Sequence, residues 1–149
     1  MTDKLFFDCE ANVFGITRNH EYMIQTGNYR YHYTSDLHGC IRDFDTLIDR
    51  LQKFAPHHQI VCCLGHHSNF RYGVYTQYKS NRRGVRKAAC FGDMREHIEK
   101  HFETSCLPNV EADDAVGIQY EYGDLIYSID KDLKTIAGIH LQENGDLEI

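Results

Sequence analysis

Three short apolar runs restrict what this chain can fold into. They are Lys4-Leu5-Phe6-Phe7-Asp8, Ile60-Val61-Cys62-Cys63-Leu64 and Leu125-Ile126-Tyr127-Ser128-Ile129. Each fits a strand buried on both faces, the kind found in parallel sheets covered by helices. Helical periodicity separates them. Ile41, Phe44, Leu47, Ile48, Leu51 and Phe54 recur at three and four, and Met94, Ile98 and Phe102 mark a second helix with Asp93 as its expected N-cap. Pro108 breaks the chain before a third helix around Glu111. Asn19 to Ser35 is a polar, tyrosine-rich stretch that reads as loop or hairpin, and Asn144-Gly145 predicts a final hairpin. The alternation of strands and helices predicts an α/β single domain over residues 1–149, with a mainly parallel central sheet flanked by helices.

With 149 residues, 42% of them hydrophobic and 26% charged, the chain can bury a real core. It has no apolar run near 18 residues and no signal peptide at its N-terminus, so no membrane is expected and the cytoplasm is the expected compartment. Six cysteines (Cys9, Cys40, Cys62, Cys63, Cys90, Cys106) show no C-x-x-C spacing. Free buried thiols in a reducing compartment fit this pattern better than a disulfide scaffold.

Two of the apolar runs lead into acids, Asp8 and Asp130, and carboxyl ends of parallel strands share one edge. Further acids crowd Val110-Glu111-Ala112-Asp113-Asp114-Ala115-Val116-Gly117 and Asp130-Lys131-Asp132. Clustered carboxylates repel unless a cation compensates, and an all-oxygen donor set suits Mg²⁺ or Mn²⁺ rather than zinc. On a helix Glu111 and Asp114 share a face, and on an extended segment Asp130 and Asp132 point to one side. Either motif alone is equally well read as a solvated helix start and a surface turn. Together they point to a metal-dependent phosphodiester site.

The net charge of −6 opposes simple nucleic-acid coating. From Arg71 to Lys87, however, there are six basic residues and no acid. Tyr72, Tyr75 and Tyr78 recur at three, and Lys79, Arg82, Arg83 and Arg86 at three and four, the interleaving that phosphate neutralisation and base stacking require. The bland alternative is a solvated charged face.

These motifs resemble the 5′ nucleases, the flap-endonuclease-like family with a PIN-like fold, most closely the 5′→3′ exonucleases of short-tailed phages. The matching pieces are LFFDCEANVF, SNFRYGVYTQYKSNRR, VEADDAVG and LIYSIDKDLKTI, in family order across most of the chain. The resemblance implies metal ligands at Asp8, Glu111, Asp113, Asp114, Asp130 and Asp132, holding Mg²⁺ or Mn²⁺, two ions in all. It implies catalytic phosphate contacts at Lys79 and Arg82, and nucleic-acid binding by Arg71, Tyr78, Lys79, Arg82, Arg83 and Arg86. Glu10, next to the first ligand, is a weaker candidate. The implied activity is metal-dependent hydrolysis of DNA, 5′→3′ exonucleolytic or flap-type, with RNA as an alternative substrate.

Two departures from the family stand out. Where an acid usually precedes the arginine matching Arg71, this chain has His66 or His67. It also stops at Ile149, before the family's helix–turn–helix-like duplex-binding region, which supplies further acids to the second metal. A second polypeptide supplying that region, as in a split nuclease, and a catalytically impaired nucleic-acid-binding module are the alternatives this raises. A third rival is a calcineurin-like phosphoesterase, since TSDLHGC would place Asp36 and His38 on one metal; the bland reading has Ser35 or Asp36 capping the next helix. A zinc set of Cys90, His97, His101 and Cys106 lacks common finger spacing.

Overall fold

In a computed structural model, residues 3–65, 87–106 and 112–149 are described. The three apolar runs form strands β1 (Lys4–Asp8), β4 (Gln59–Cys63) and β6 (Leu125–Tyr127). They lie at the centre of a six-stranded sheet with β5 (Thr104–Ser105), β7 (Ile139–Leu141) and β8 (Leu147–Glu148), ordered β5-β4-β1-β6-β7-β8. All neighbours run parallel except β7 and β8, which close the antiparallel hairpin expected around Asn144-Gly145. Gly145 supplies the positive φ of 93° that this turn needs.

Side chains alternate across the sheet, so each strand feeds two cores. Leu5 and Phe7, Cys62 and Leu64, and Leu125 and Tyr127 point to one face. There they meet helices α1 (Glu10–Asn19), α2 (Leu37–Phe54) and α3 (Phe91–His101) through Val13, Phe44, Leu51, Met94 and Ile98. Phe7 is wedged between Phe44 and Tyr127, with ring centroids 6.0 Å and 5.5 Å away. Phe6, Val61, Cys63 and Ile126 point to the other face. That face is covered by helix α4 (Ala112–Gln119), through Ala112 and Val116, and by a short 3₁₀ turn (Lys131–Thr135), through Leu133. The result is an α/β three-layer fold with a mainly parallel sheet, as the sequence predicts.

Some expectations need correction. Cys90, not Asp93, occupies the N-cap of α3, because the helix begins at Phe91 and takes Asp93 into its first turn. Strand β6 ends at Tyr127, two residues early, and Ile129 is exposed. The stretch from Asn19 to Ser35, by contrast, takes the hairpin among its two expected forms, β2 (Glu21–Gly27) antiparallel to β3 (Arg30–Ser35), standing apart from the main sheet. All six cysteines are free, five of them buried. Among the described residues no helix is long and apolar enough to cross a membrane.

Candidate metal centre

The site begins with a parity argument. Asp8 lies two residues after Phe6, on the side of the sheet covered by α4 and the 3₁₀ turn. Those two elements contain Asp113, Asp114 and Asp132. The pairing Phe7↔Tyr127 then sets Asp8 beside Ser128. The Ser128 hydroxyl donates to Asp8 Oδ2 at 2.9 Å, and the Asp130 backbone N–H donates to the same Ser128 oxygen at 3.0 Å. Asp8 and Asp130, 122 positions apart in the chain, are therefore bridged by one serine at the carboxyl edge of the sheet.

Asp8 is only 5% exposed, so its charge is felt by its neighbours. Burial first, and then the Asp8 carboxylate, push the Cys63 thiol far above its ordinary range. Cys9 is pushed up as well, by its hydrogen bond with Cys62 and by burial, with a smaller contribution from Asp8. Both thiols beside the acid are therefore harder to ionise than an ordinary cysteine.

Helix α4 begins at the same edge. A Cβ placed on Gly65, just after β4, would lie 3.5 Å from the Ala112 nitrogen and 2.5 Å from Glu10 Oε2. The Gly65 backbone thus runs between the start of α4 and the Glu10 carboxylate. Asp113 and Asp114 fall in the first turn of α4, and Asp114 is half-buried. Glu111 lies outside the described residues, as do the side chains of Asp113 and Asp132. Asp130 is exposed. The Asp130-x-Asp132 segment is not extended, a correction to the expected strand-like alternation. With Ser128 holding the Asp130 N–H and the Asp130 carbonyl accepting from Leu133 N at 3.2 Å, the chain turns straight into the 3₁₀ helix.

Arg95 is a residue that sequence reasoning misses. Its guanidinium donates to Glu10 Oε1 at 3.2 Å, to the Gly65 carbonyl at 2.6 Å and to Cys106 Sγ at 3.4 Å. Glu10 in turn accepts from Gly65 N at 2.6 Å. One cation therefore ties the start of α1 to the residues just beyond β4 and β5. The only sequence signal is its i,i+4 spacing to Glu99, which marks a helix face and nothing about Gly65. Glu10 sits at the rim, but as the partner of Arg95.

Arg71, Tyr78, Lys79, Arg82, Arg83 and Arg86 lie outside the described residues, with His66 and His67. The flanking positions are informative. Gly65 follows β4 at the acidic edge, and Ala88 and Cys90 precede α3, which returns the chain to parallel β5. The described residues on either side of the basic segment, Gly65 after β4 and Ala88 before α3, stand at the edge that holds Asp8.

The rival motifs resolve differently. Asp36 caps α2, its Oδ1 accepting from Gly39 N at 3.1 Å, which is the bland reading of TSDLHGC. Cys90 packs its sulfur 3.5 Å from Cys40, and Cys106 contacts Arg95, so the zinc set of Cys90, His97, His101 and Cys106 is not assembled. Among the described residues no group of three or more His, Cys, Asp or Glu is gathered closely enough to hold a metal ion.

The chain is similar in structure to the T5 D15 protein. That crystal structure, of D15 co-crystallized with metal ions, superposes with a TM-score of 0.57 at 15% identity, covering 95% of this chain and 55% of D15. The chain thus spans about half the length of D15, and at this identity the likeness to D15 is one of fold. No family model matches the sequence. No curated protein matches it either.

Proposed function

We propose that this chain is a divalent-metal-dependent nuclease of the 5′-nuclease type, hydrolysing phosphodiester bonds of DNA, with 5′→3′ exonucleolytic or flap-type action. The observation that carries this reading is the bridge Asp8–Ser128–Asp130 at the carboxyl edge of the sheet, on the face covered by the two acid-bearing elements. The D15-like fold supports it. The donor set is carboxylate oxygen, which fits Mg²⁺ or Mn²⁺.

In this reading Asp8, Glu111, Asp113, Asp114, Asp130 and Asp132 hold the metal. Bound there, two ions would supply an activated water and charge stabilisation for the leaving oxygen. The chain's own residues do the rest. Ser128 fixes the Oδ2 oxygen of Asp8 at the edge of the site. Arg95 holds Glu10 and Gly65 in place beside the start of α4. Lys79 and Arg82 neutralise the phosphate as charge builds on it, and Arg71, Tyr78, Arg83 and Arg86 hold the strand against the repelling net charge. A second polypeptide supplying duplex contacts is the partner this proposal leaves room for.

The test is a gel assay with Mn²⁺ on labelled single-stranded, flap and blunt DNA, together with thermal melting. Parent protein should release products and melt higher in millimolar Mn²⁺, because an ion that binds only the folded state stabilises it by mass action. Asp113→Asn should lose the products and blunt the rise. DNA binding with neither products nor a shift in melting would favour the impaired binding module instead.

A further inference from the structure

The acidic edge leaves one conspicuous element unused. Among the described residues, strands β2 and β3 form a two-stranded hairpin that pairs with no other strand. Isolated hairpins of this size are marginal in water, and their apolar side chains are not normally left open. Here Tyr22, Met23, Ile24 and Tyr31 are each 42–58% exposed, and Tyr29 at the tip is 96% exposed. The register Met23↔Tyr33, Gln25↔Tyr31 places Met23, Tyr31 and Tyr33 on one face, while Ile24↔His32 belongs to the other.

The tip adds a second observation. Tyr29 has φ 63°, the left-handed region that glycine or asparagine occupies at little cost and a bulky aromatic does not. A fully exposed ring at a strained position adds nothing to the fold that carries it.

Charge selects the occupant. Between Tyr22 and Thr34 there is no acid, only Arg30 and His32, in a chain of net charge −6. Position agrees. Helix α2 descends to the amino end of parallel β4, so its first turn, and the hairpin entering it, stand at the carboxyl edge of the sheet. The hairpin base is pinned there: Glu21 Oε2 accepts from Ala89 N at 2.7 Å, and Asp36 N donates to His20 O at 3.0 Å. The ten residues of α1, about 15 Å of helix, separate this base from Asp8.

We infer that the β2–β3 hairpin is a stacking platform for a single-stranded nucleic acid, with exposed tyrosines taking successive bases and Arg30 the backbone. This rests on the nuclease reading for its placement beside the cut site, but its test does not. Anisotropy of a fluorescent oligothymidylate of about 16 nucleotides, in EDTA, reports binding by the full chain without cleavage. Tyr31→Ala and Tyr29→Gly should each weaken binding about ten-fold. Melting should stay within a degree or two for Tyr31→Ala and should not fall for Tyr29→Gly, which relieves the positive φ. Parental affinity in both variants would overturn the inference. So would a shift from dimer to monomer in sedimentation with affinity unchanged, since the hairpin would then serve a second copy of the chain. The two readings fail separately. A parent that cleaves with Mn²⁺ while both variants bind normally loses only the platform. Variants that lose binding in a parent that never cleaves leave the platform and remove the nuclease.

Discussion

The two faces of the sheet are built for different tasks. One is thick: α1, α2 and α3 bury Leu5, Phe7, Phe44, Leu51, Met94, Ile98 and Tyr127 in a continuous aromatic and aliphatic core. The other is thin, covered in the described residues by α4 and the 3₁₀ turn over Phe6, Val61, Cys63, Ile126 and Leu133. The thin face also receives Asp8. Burying a carboxylate costs stability unless hydrogen bonds or a cation offset it. A deep apolar layer on the opposite side is where that cost can be absorbed. The fold thus separates what holds it together from what is held in place.

The largest expected effect tests the thick face. Phe7 is fully buried against two rings, so Phe7→Ala removes area and leaves a cavity among Phe44 and Tyr127. Urea unfolding should show a loss of about 3–5 kcal/mol. A loss under about 1 kcal/mol would mean that the thick face does not carry the stability assigned to it.

Next comes the thin face, where the expected loss is of activity. Ser128→Ala deletes the hydroxyl that joins Asp8 to the Asp130 backbone. On the proposed metal-dependent reading, a residue orienting a metal-bound carboxylate is worth about 10–100-fold in metal affinity or activity. Its share of stability is nearer 1 kcal/mol, the net worth of a typical hydrogen bond. The measurement is Mn²⁺-dependent cleavage alongside unfolding. An unfolding loss as large as that of Phe7→Ala, with cleavage per folded molecule intact, would erase the distinction between the faces.

How much of this was legible beforehand follows the same division. The three central strands, the α2 helix and the parallel sheet could be read because burial on both faces writes itself as an apolar run. Asp8 and Asp130 could be placed together for the same reason: both follow such runs. What could not be read is set by single contacts. Nothing in the sequence says that Ser128 would turn β6 early and send Asp130-Lys131-Asp132 into a 3₁₀ turn. Nor does it say that Arg95 would reach Glu10 and Gly65, because those contacts span 85 and 30 positions. Asp124 makes the point from the other side. It is as buried as Asp8, yet it accepts from the backbone N–H groups of Lys4 and Glu121 at 2.9 and 3.0 Å, far from the carboxyl edge. Burial alone therefore does not single out Asp8; its place at the carboxyl end of a strand does.

The smallest effect is read in alkali, at Cys40 in the thick face. Burial, and then the hydrogen bond with Cys90, push the Cys40 thiol up to about 12 from an ordinary value of 9.0. Below pH 9 the thiol is protonated in both folded and unfolded chains, so the advantage of the folded state is fully present. Above it the unfolded chain sheds a proton that the folded chain keeps, and stability falls as pH rises towards 12. Urea midpoints measured from pH 8 upward should therefore decline, and the decline should be shallower in Cys40→Ala. Cys90→Ala removes the second cause but not the burial, so its curve should lie between the two. Asp8→Asn should leave the Cys40 contribution unchanged, because the charges that reach this thiol are those of Cys90, Asp36 and Asp43, all on the thick side. If the Cys40→Ala curve tracked the parent throughout, Cys40 would contribute nothing to the alkaline loss, which would then belong to the thiols beside Asp8.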